Sequence, residues 1–568
     1  MSYSETVSGR AAIVGMGAVF PDSENKEKYW SLIKNGRDAI REIPDTHWKT
    51  SDYYDANPKA PDMTYSKTGG FIKPFDFDPM EFGITPNSLE AIDSSHILGL
   101  VAAKSALDDA GYGKGGKELP KETTGVILGV TGAQELVIGL GARLGHPLWK
   151  KSVLEAGGDQ ELADDVAKRI AAGYPEWQEL SFPGLLGNVA AGRIANYFDF
   201  GGVNCIIDAA CGSSLGALEM AYMELISKRA DVMLTGGVDT FNDIFMYMCF
   251  SKTPAMSPDG KAKPFSADGN GTCIGEGVGI VMLKRYEDAV RDGDRIYAVI
   301  EGTGSGSDGR GAAVFAPQSK GQIKAIRRAY VSSGINPNTV EMIEAHGTGT
   351  KVGDAIELKS LNAVFSEFEN SENSSCLLGS VKGQIGHCKS AAGIAGVIKA
   401  ALSLYYKELP PTIRANPPLP SLCDENSRFY VSDSVRPWIS DGKHPRRAGV
   451  SAFGFGGSNF HCVIAEDSSC KKEADWEDSV RILGISSDSE SGLLSKINSL
   501  KGLSWREFSR KAWEYSKDFN PSAPLRLAAA VSEDNYDNAS IAAKMEKAAR
   551  EHRSLPFSEG IFFSDVSA

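Results

Sequence analysis

One cysteine and two histidines carry the chemistry that this chain offers. Cys211 stands in Asp208-Ala209-Ala210-Cys211-Gly212-Ser213-Ser214. Before it lies a short apolar run, 205–208, that reads as a buried strand. After it comes a helical pattern with apolar residues at Leu215, Leu218, Ala221, Tyr222 and Leu225. A thiol at such a strand-to-helix junction meets free N–H groups and the positive end of the helix dipole, which favour the thiolate and predict a pKa below about 8.5. Ala209, Ala210, Gly212 and Ser213 leave room for an electrophile to approach the sulfur. A buried cysteine in a tight turn would have the same local sequence. His346 lies in Glu344-Ala345-His346-Gly347-Thr348-Gly349-Thr350, and His387 closes Gly379-Ser380-Val381-Lys382-Gly383-Gln384-Ile385-Gly386-His387. Both loops follow strand patterns, and in a parallel α/β protein such loops gather on the face that holds Cys211. Phe453-Gly454-Phe455-Gly456-Gly457-Ser458-Asn459 is a glycine turn whose backbone N–H groups can point at a ligand, a candidate oxyanion hole. His461 falls in the strand that follows and reads as structural.

The elements that must position these loops are visible as alternating strand and helix patterns. Residues 11–17 read as a first strand ending in a glycine turn. Phe20 stands where a dinucleotide fingerprint would need its third glycine, so a strand-end loop is the better account. Strands at 125–129 and 231–237 flank the Cys211 stretch and predict parallel pairing. Residues 277–283 and 296–300 are expected to pair with each other. The pattern then recurs: helix 321–333, strand 340–344, helix 354–368, strand 376–379, helix 391–407, and closing strands at 449–453 and 460–465. Two α/β halves of similar element order are expected. After residue 466 the polar stretch 467–473 reads as a linker. Beyond it lies a small α/β unit with strand 480–485, helices near 489–500 and 504–515, strand 525–531 and helix 539–551. The apolar stretch 560–568 ends abruptly, as expected of a piece of a longer polypeptide.

Composition narrows the setting. The 568 residues carry a net charge of −13, with 42% hydrophobic and 23% charged residues, the profile of an ordinary globular chain that does not favour nucleic acid as partner. The nine cysteines are scattered without a C-x-x-C pair, against both a disulfide framework and a zinc site and in keeping with a reducing cytosol. Residues 1–10 lack a signal-peptide core. The apolar helix 391–406 is too short to span a bilayer and contains Lys399, so it is expected inside a large α/β core and no membrane span is expected. The expected location is cytoplasmic.

The four motifs around Cys211, His346, His387 and Gly454–Asn459 occur in the order found in β-ketoacyl synthases, and the chain resembles that family from about Ala11 to Glu466. The resemblance implies an α/β thiolase fold of two similar halves in five αβαβα layers over residues 1–466. The tail 467–568 resembles the linker domain between a ketosynthase and an acyltransferase. It also implies a decarboxylative Claisen condensation: Cys211 holds the acyl chain, and His346 and His387 stabilise the enolate formed from a malonyl thioester. The backbone N–H groups of Cys211 and Phe455 form the oxyanion hole, and Phe455 gates access. Thr348 and Thr350 match hydroxyls that hold the pantetheine arm, Lys382 and Glu357 match an ion pair that fixes the loops, and Asn459 props the glycine turn. No metal or tightly bound cofactor is implied, because substrates arrive on the phosphopantetheine arm of an acyl carrier protein. The other partners implied are a second copy in a homodimer and a downstream acyltransferase domain. Residues 246–254 and 327–330 most resemble ketosynthases of polyunsaturated fatty acid synthases and related multidomain lipid or polyketide synthases. Gly212 stands where the family commonly has alanine, and Ser458 where it has threonine. Both replacements are small, and no loss of activity is expected from them.

Three other readings compete. Gly212-Ser213-Ser214-Leu215-Gly216 fits a G-x-S-x-G nucleophile elbow, which would make Ser214 the nucleophile of a serine hydrolase. A ketosynthase-like partner that only shapes a pocket would lack the nucleophile, which is present here. A thiolase would need a second cysteine near the closing glycine turn, and Cys462 lies too far into its strand.

Overall fold

A computed structural model describes residues 9–565 apart from 133, 312, 314–315, 369–374, 425–426, 441 and 468–479. Contacts divide the chain into two compact units, Met1–Cys470 and Lys471–Ala568.

The first unit is built on an eleven-stranded sheet. In chain order its strands are β1 (Ala11–Val19), β2 (Thr124–Gly129), β3 (Asn204–Ile207), β4 (Val232–Asp239), β5 (Gly277–Arg285), β6 (Ala298–Ser307), β7 (Met342–Glu344), β8 (Cys376–Gly379), β9 (Phe429–Tyr430), β10 (Arg447–Phe453) and β11 (Ser458–Ala465). The spatial order β3-β2-β4-β5-β1 in the first half is repeated as β8-β7-β10-β11-β6 in the second. Directions repeat too: β2 runs parallel to β3 and β4, and β5 antiparallel to β4 and β1. Likewise β7 runs parallel to β8 and β10, and β11 antiparallel to β10 and β6. This identity of order and direction is the doubled α/β architecture of the thiolase fold.

The expected pairing of 277–283 with 296–300 does not form. β1 lies between β5 and β6 and pairs antiparallel with both, the second through Ala11–Ile13. All nine of its residues are buried. So apolar a segment is sealed best with a ladder on each edge, and taking that place joins the two halves.

Helices Ser213–Ile226 and Ala392–Tyr406 follow β3 and β8, pack on each other, and each touches strands of both halves. They form a central layer, and Ala392–Leu404 is buried without interruption, as its composition predicts. β3 corrects an expectation: it is an edge strand with Asn204 exposed and the rest half-buried, because only β2 pairs with it.

The second unit has a three-stranded antiparallel sheet, Val480–Ser487, Leu525–Ser532 and Ile561–Ser564, with Leu525–Ser532 in the middle. Helices Glu490–Asn498, Trp505–Lys517 and Asn538–Arg550 accompany it. Ser504 and Glu507 close a capping box at the start of the second helix. The polar stretch read as a linker, 467–473, lies outside the described residues from 468 onward, as do 566–568.

Candidate active site

Cys211 sits in a single 3₁₀ turn, Ala210–Gly212, that leads into helix Ser213–Ile226. Ala210 takes a left-handed φ of 50°, a costly conformation for a residue with a side chain. Its neighbours hold it there. The Ser213 hydroxyl donates to the Ala210 carbonyl and accepts the Ala209 N–H at 2.9 Å. Asp208 accepts the Ala210 N–H at 3.1 Å and the Gly132 N–H at 3.0 Å through its two oxygens. Sequence reasoning missed these supports; an aspartate and a serine flanking so small a turn are the signal that could have found them.

Burial pushes the Cys211 thiol up to about 11, opposed by the Lys382 charge and by a hydrogen bond from the Phe455 backbone N–H. The expectation of a thiolate below about 8.5 is therefore corrected. The residue is only 7% exposed, and removal from water outweighs the helix terminus and these partners.

The sulfur faces a cavity of about 150 Å³ that is also lined by His346, His387, Thr348, Thr350, Glu357, Phe455 and Asn459. The structure thus brings eight of the nine anticipated residues to one wall; Lys382 acts there through its charge. The two imidazole rings lie 5.4 Å apart and nearly perpendicular, at 81°. His346 Nδ1 accepts the Phe453 N–H at 3.3 Å, and His387 Nδ1 accepts the Lys389 N–H at 3.1 Å. With Nδ1 engaged as acceptor, a neutral imidazole carries its proton on Nε2. Burial, reinforced by Lys382, holds both groups well below the usual histidine range, so both are neutral. Each can donate one hydrogen bond from Nε2.

Glu357 and Lys382 do not form the direct pair that the resemblance implies. Among the described residues no ion pair joins them. Glu357 instead accepts the N–H groups of His346 and Gly347, both at 2.8 Å. Burial raises its carboxyl to about 7, while Lys382, buried and held below its ordinary value, acts through space. Asp354, which sequence reasoning overlooked, accepts N–H groups of Phe265, Thr348 and Gly349 and fixes the threonine loop. The hydroxyls of Thr348 and Thr350 are 2.9 Å apart.

The glycine turn lies directly against the nucleophile. A Cβ on Gly454 would come within 2.1 Å of the Ala209 carbonyl oxygen, so only glycine permits this approach. Asn459 Nδ2 donates to Asp308 at 2.8 Å and to the Gly457 carbonyl at 3.1 Å. Phe455 is 46% exposed, and its ring stands 6.2 Å from that of Phe250, a second aromatic at the cavity that was not anticipated.

The competing nucleophiles are placed elsewhere. Ser214 is fully buried and its Oγ accepts the Ile394 N–H at 3.0 Å, bracing one central helix on the other. Cys462 is buried in β11 opposite Val450 and does not line the cavity. His461 is buried too, bonded to Ser451 at 2.9 Å and pushed down to about 3 by desolvation, a structural residue. Among the described residues no group of three or more histidine, cysteine or acidic side chains is placed to hold a metal.

A thiolase-type doubled fold with one cysteine and two donor histidines on a common cavity defines a class of condensing acyltransferases. The family model for the β-ketoacyl synthase N-terminal domain matches residues 9–289, that for the C-terminal domain 297–416, and that for the ketoacyl-synthetase C-terminal extension 416–516. A solved ketosynthase from module 6 of the Bacillus subtilis bacillaene synthase is 30% identical, with a TM-score of 0.67 over 98% of this chain and 87% of that one. An oxazolomycin ketosynthase domain from Streptomyces albus is 26% identical, with a TM-score of 0.70 over 98% and 90%. The chain belongs to the β-ketoacyl synthase family, acyltransferases that form carbon–carbon bonds. Among curated relatives, a polyunsaturated fatty acid synthase of Thraustochytrium sp. is 41% identical over 462 residues, 80% of this chain and 16% of that protein. Polyketide synthase PksL of Bacillus subtilis is 36% identical over 457 residues, 80% of this chain and 9% of that protein. The chain thus spans less than a fifth of the length of either.

Proposed function

We propose that the chain is the ketosynthase of a multidomain polyunsaturated fatty acid or polyketide synthase, condensing an acyl group on Cys211 with a malonyl group on an acyl carrier protein. The observation that carries this reading is the pair of neutral imidazoles, each with Nδ1 occupied by a backbone N–H, sharing one cavity with the Cys211 sulfur.

In the first half-reaction Cys211 attacks the carrier's thioester; a thioester forms on Cys211 and the carrier thiol leaves with the proton. Lys382 and the Phe455 N–H lower the cost of negative charge on the sulfur. The malonyl carrier then enters past Phe455, its arm held by Thr348 and Thr350. Its carboxylate leaves as CO₂, and the electron pair moves onto the thioester oxygen, where Nε2–H of His346 and His387 stabilises the enolate. The enolate carbon attacks the acyl carbonyl, whose oxygen takes charge in the hole formed by the N–H groups of Cys211 and Phe455. Collapse breaks the C–S bond, and the released sulfur regains a proton. Glu357 and Asp354 hold the histidine and threonine loops in place, and Asn459 holds the glycine turn. No step calls for a resident cofactor.

The wider setting belongs to the same reading. The 41% identity to a polyunsaturated fatty acid synthase favours a lipid synthase. The partly exposed edge of β3 suits pairing with a second copy in a homodimer. Residues 471–568 fit a linker toward a following acyltransferase domain, and a cytoplasmic location fits the thiols; no helix among the described residues is long and apolar enough to cross a membrane. Intact-protein mass spectrometry after incubation with acyl-carrier thioesters tests the proposal. One acyl adduct on Cys211, absent from Cys211→Ala, is expected; an adduct that persists in the variant ends it.

A further inference from the structure

His387 is held by a buried ion pair that reaches across the two halves of the fold. Its Nδ1 accepts the N–H of Lys389, a non-glycine residue at a left-handed φ of 46°. That conformation needs an external hold, and the Lys389 side chain supplies one: Nζ is 3.0 Å from Asp239 Oδ1 and donates to the Gly275 carbonyl at 2.9 Å. The second oxygen of Asp239 accepts the Ser390 N–H at 3.1 Å and the Ser390 hydroxyl at 2.9 Å. Asp239 ends β4, in the half that carries Cys211, whereas Lys389 and Ser390 follow β8 in the other half. The pair is about 5% exposed.

We propose that Asp239 and Lys389 are positioning residues that fix the tautomer of His387: by clamping the strained Lys389–Ser390 backbone they keep one N–H aimed at Nδ1, and so keep the proton on Nε2, facing the substrate. Neither touches the reacting atoms. Without the clamp the Lys389 backbone relaxes out of its left-handed conformation, the N–H turns away, and His387 partitions between its two tautomers, only one of which donates into the cavity. The loss falls on enolate stabilisation and spares Cys211 as an acyl acceptor. The inference rests on the reading of His387 as an enolate donor.

The test compares wild type, Lys389→Met and the double variant Asp239→Asn/Lys389→Met, all in the full chain. The double variant leaves no uncompensated buried charge, so it remains informative where the single one fails to fold. Malonyl-carrier decarboxylation, acyl loading of Cys211 and the ring ¹⁵N shifts of His387 are measured. The folded double variant is expected to lose about ten-fold or more in decarboxylation kcat, with KM little changed and loading within about three-fold. Its His387 nitrogens should shift from a pure Nε2–H pattern to a tautomer average. A double variant that decarboxylates at the wild-type rate, or whose His387 keeps the pure Nε2–H pattern, overturns the inference, as does equal loss of loading and decarboxylation. His387→Ala separates the two readings: if it leaves decarboxylation intact, the donor role of His387 itself fails.

Discussion

The two halves of the first unit share strand order and direction yet do different work. The first half spends its third strand, β3, on a tight elbow that presents Cys211. In the second half the equivalent strand, β8, leads into a longer loop carrying Lys382 and His387, and the second strand, β7, leads to His346. The fourth and fifth strands differ as well. β10 and β11 are joined by the short glycine turn that lies on the Cys211 elbow, whereas the chain between β4 and β5 wanders through residues 240–276. Even the edges differ: β8 is fully buried with β9 paired beyond it, while β3 has no strand outside it in the sheet. A shared topology therefore fixes where strand ends converge, and the loops decide what is delivered there. One half delivers the nucleophile, the other the donors that develop and receive charge.

That division of labour can be broken apart experimentally. Cys211→Ala should give the largest effect: condensation and acyl loading fall by at least about 10³-fold, while malonyl decarboxylation, which depends on the other half, continues. A radiolabelled CO₂-release assay beside a product assay reads both, and parallel loss of the two activities would erase the distinction between the halves. His346→Ala and His387→Ala should give the converse, lowering decarboxylation by roughly 10²–10³-fold with Cys211 still acylated at a rate within about ten-fold of wild type. Lys382→Met comes next. Lys382 makes the largest contribution opposing the raised pKa of Cys211, which burial takes to about 11. Only the thiolate is nucleophilic, so a further rise lowers its fraction at any pH below the pKa. Iodoacetamide labelling at about pH 8 should therefore slow several-fold in the variant; an unchanged rate would mean that the second half does not tune the thiol.

Much of this was legible in the sequence because strand and helix periods are local properties. The catalytic loops were legible because glycine and small residues crowd around one cysteine and two histidines. Pairing across the sheet was not. Residues 277–285 and 298–307 are neighbours in the chain, and hydropathy alone cannot show that β1 comes between them. The helix terminus at Cys211 was visible, but the desolvation that outweighs it depends on walls contributed by loops more than a hundred residues away. Glu357 and Lys382 carry the right charges for an ion pair, yet backbone N–H groups claim the carboxylate first. Asp239 and Lys389, 150 positions apart, give no local signal of their contact.

The smallest effect concerns how the second half buttresses the elbow of the first. Gly212, where alanine is commoner in the family, faces Phe460 of β11: a Cβ there would lie 2.9 and 3.1 Å from two ring carbons and 3.3 Å from the Ser458 carbonyl oxygen. Alanine must therefore push the ring or the elbow by a few tenths of an ångström, and overpacking of this kind costs about 1–3 kcal/mol. Gly212→Ala should lower the melting temperature of the first unit by a few degrees and slow acyl loading modestly, because the displaced turn carries Cys211. Adding Phe460→Leu, which removes the ring carbons that the new methyl meets, should restore both. A Gly212→Ala protein with wild-type stability and loading would show that the ring yields freely, and that the elbow keeps its shape through the hydrogen bonds of Asp208 and Ser213 alone.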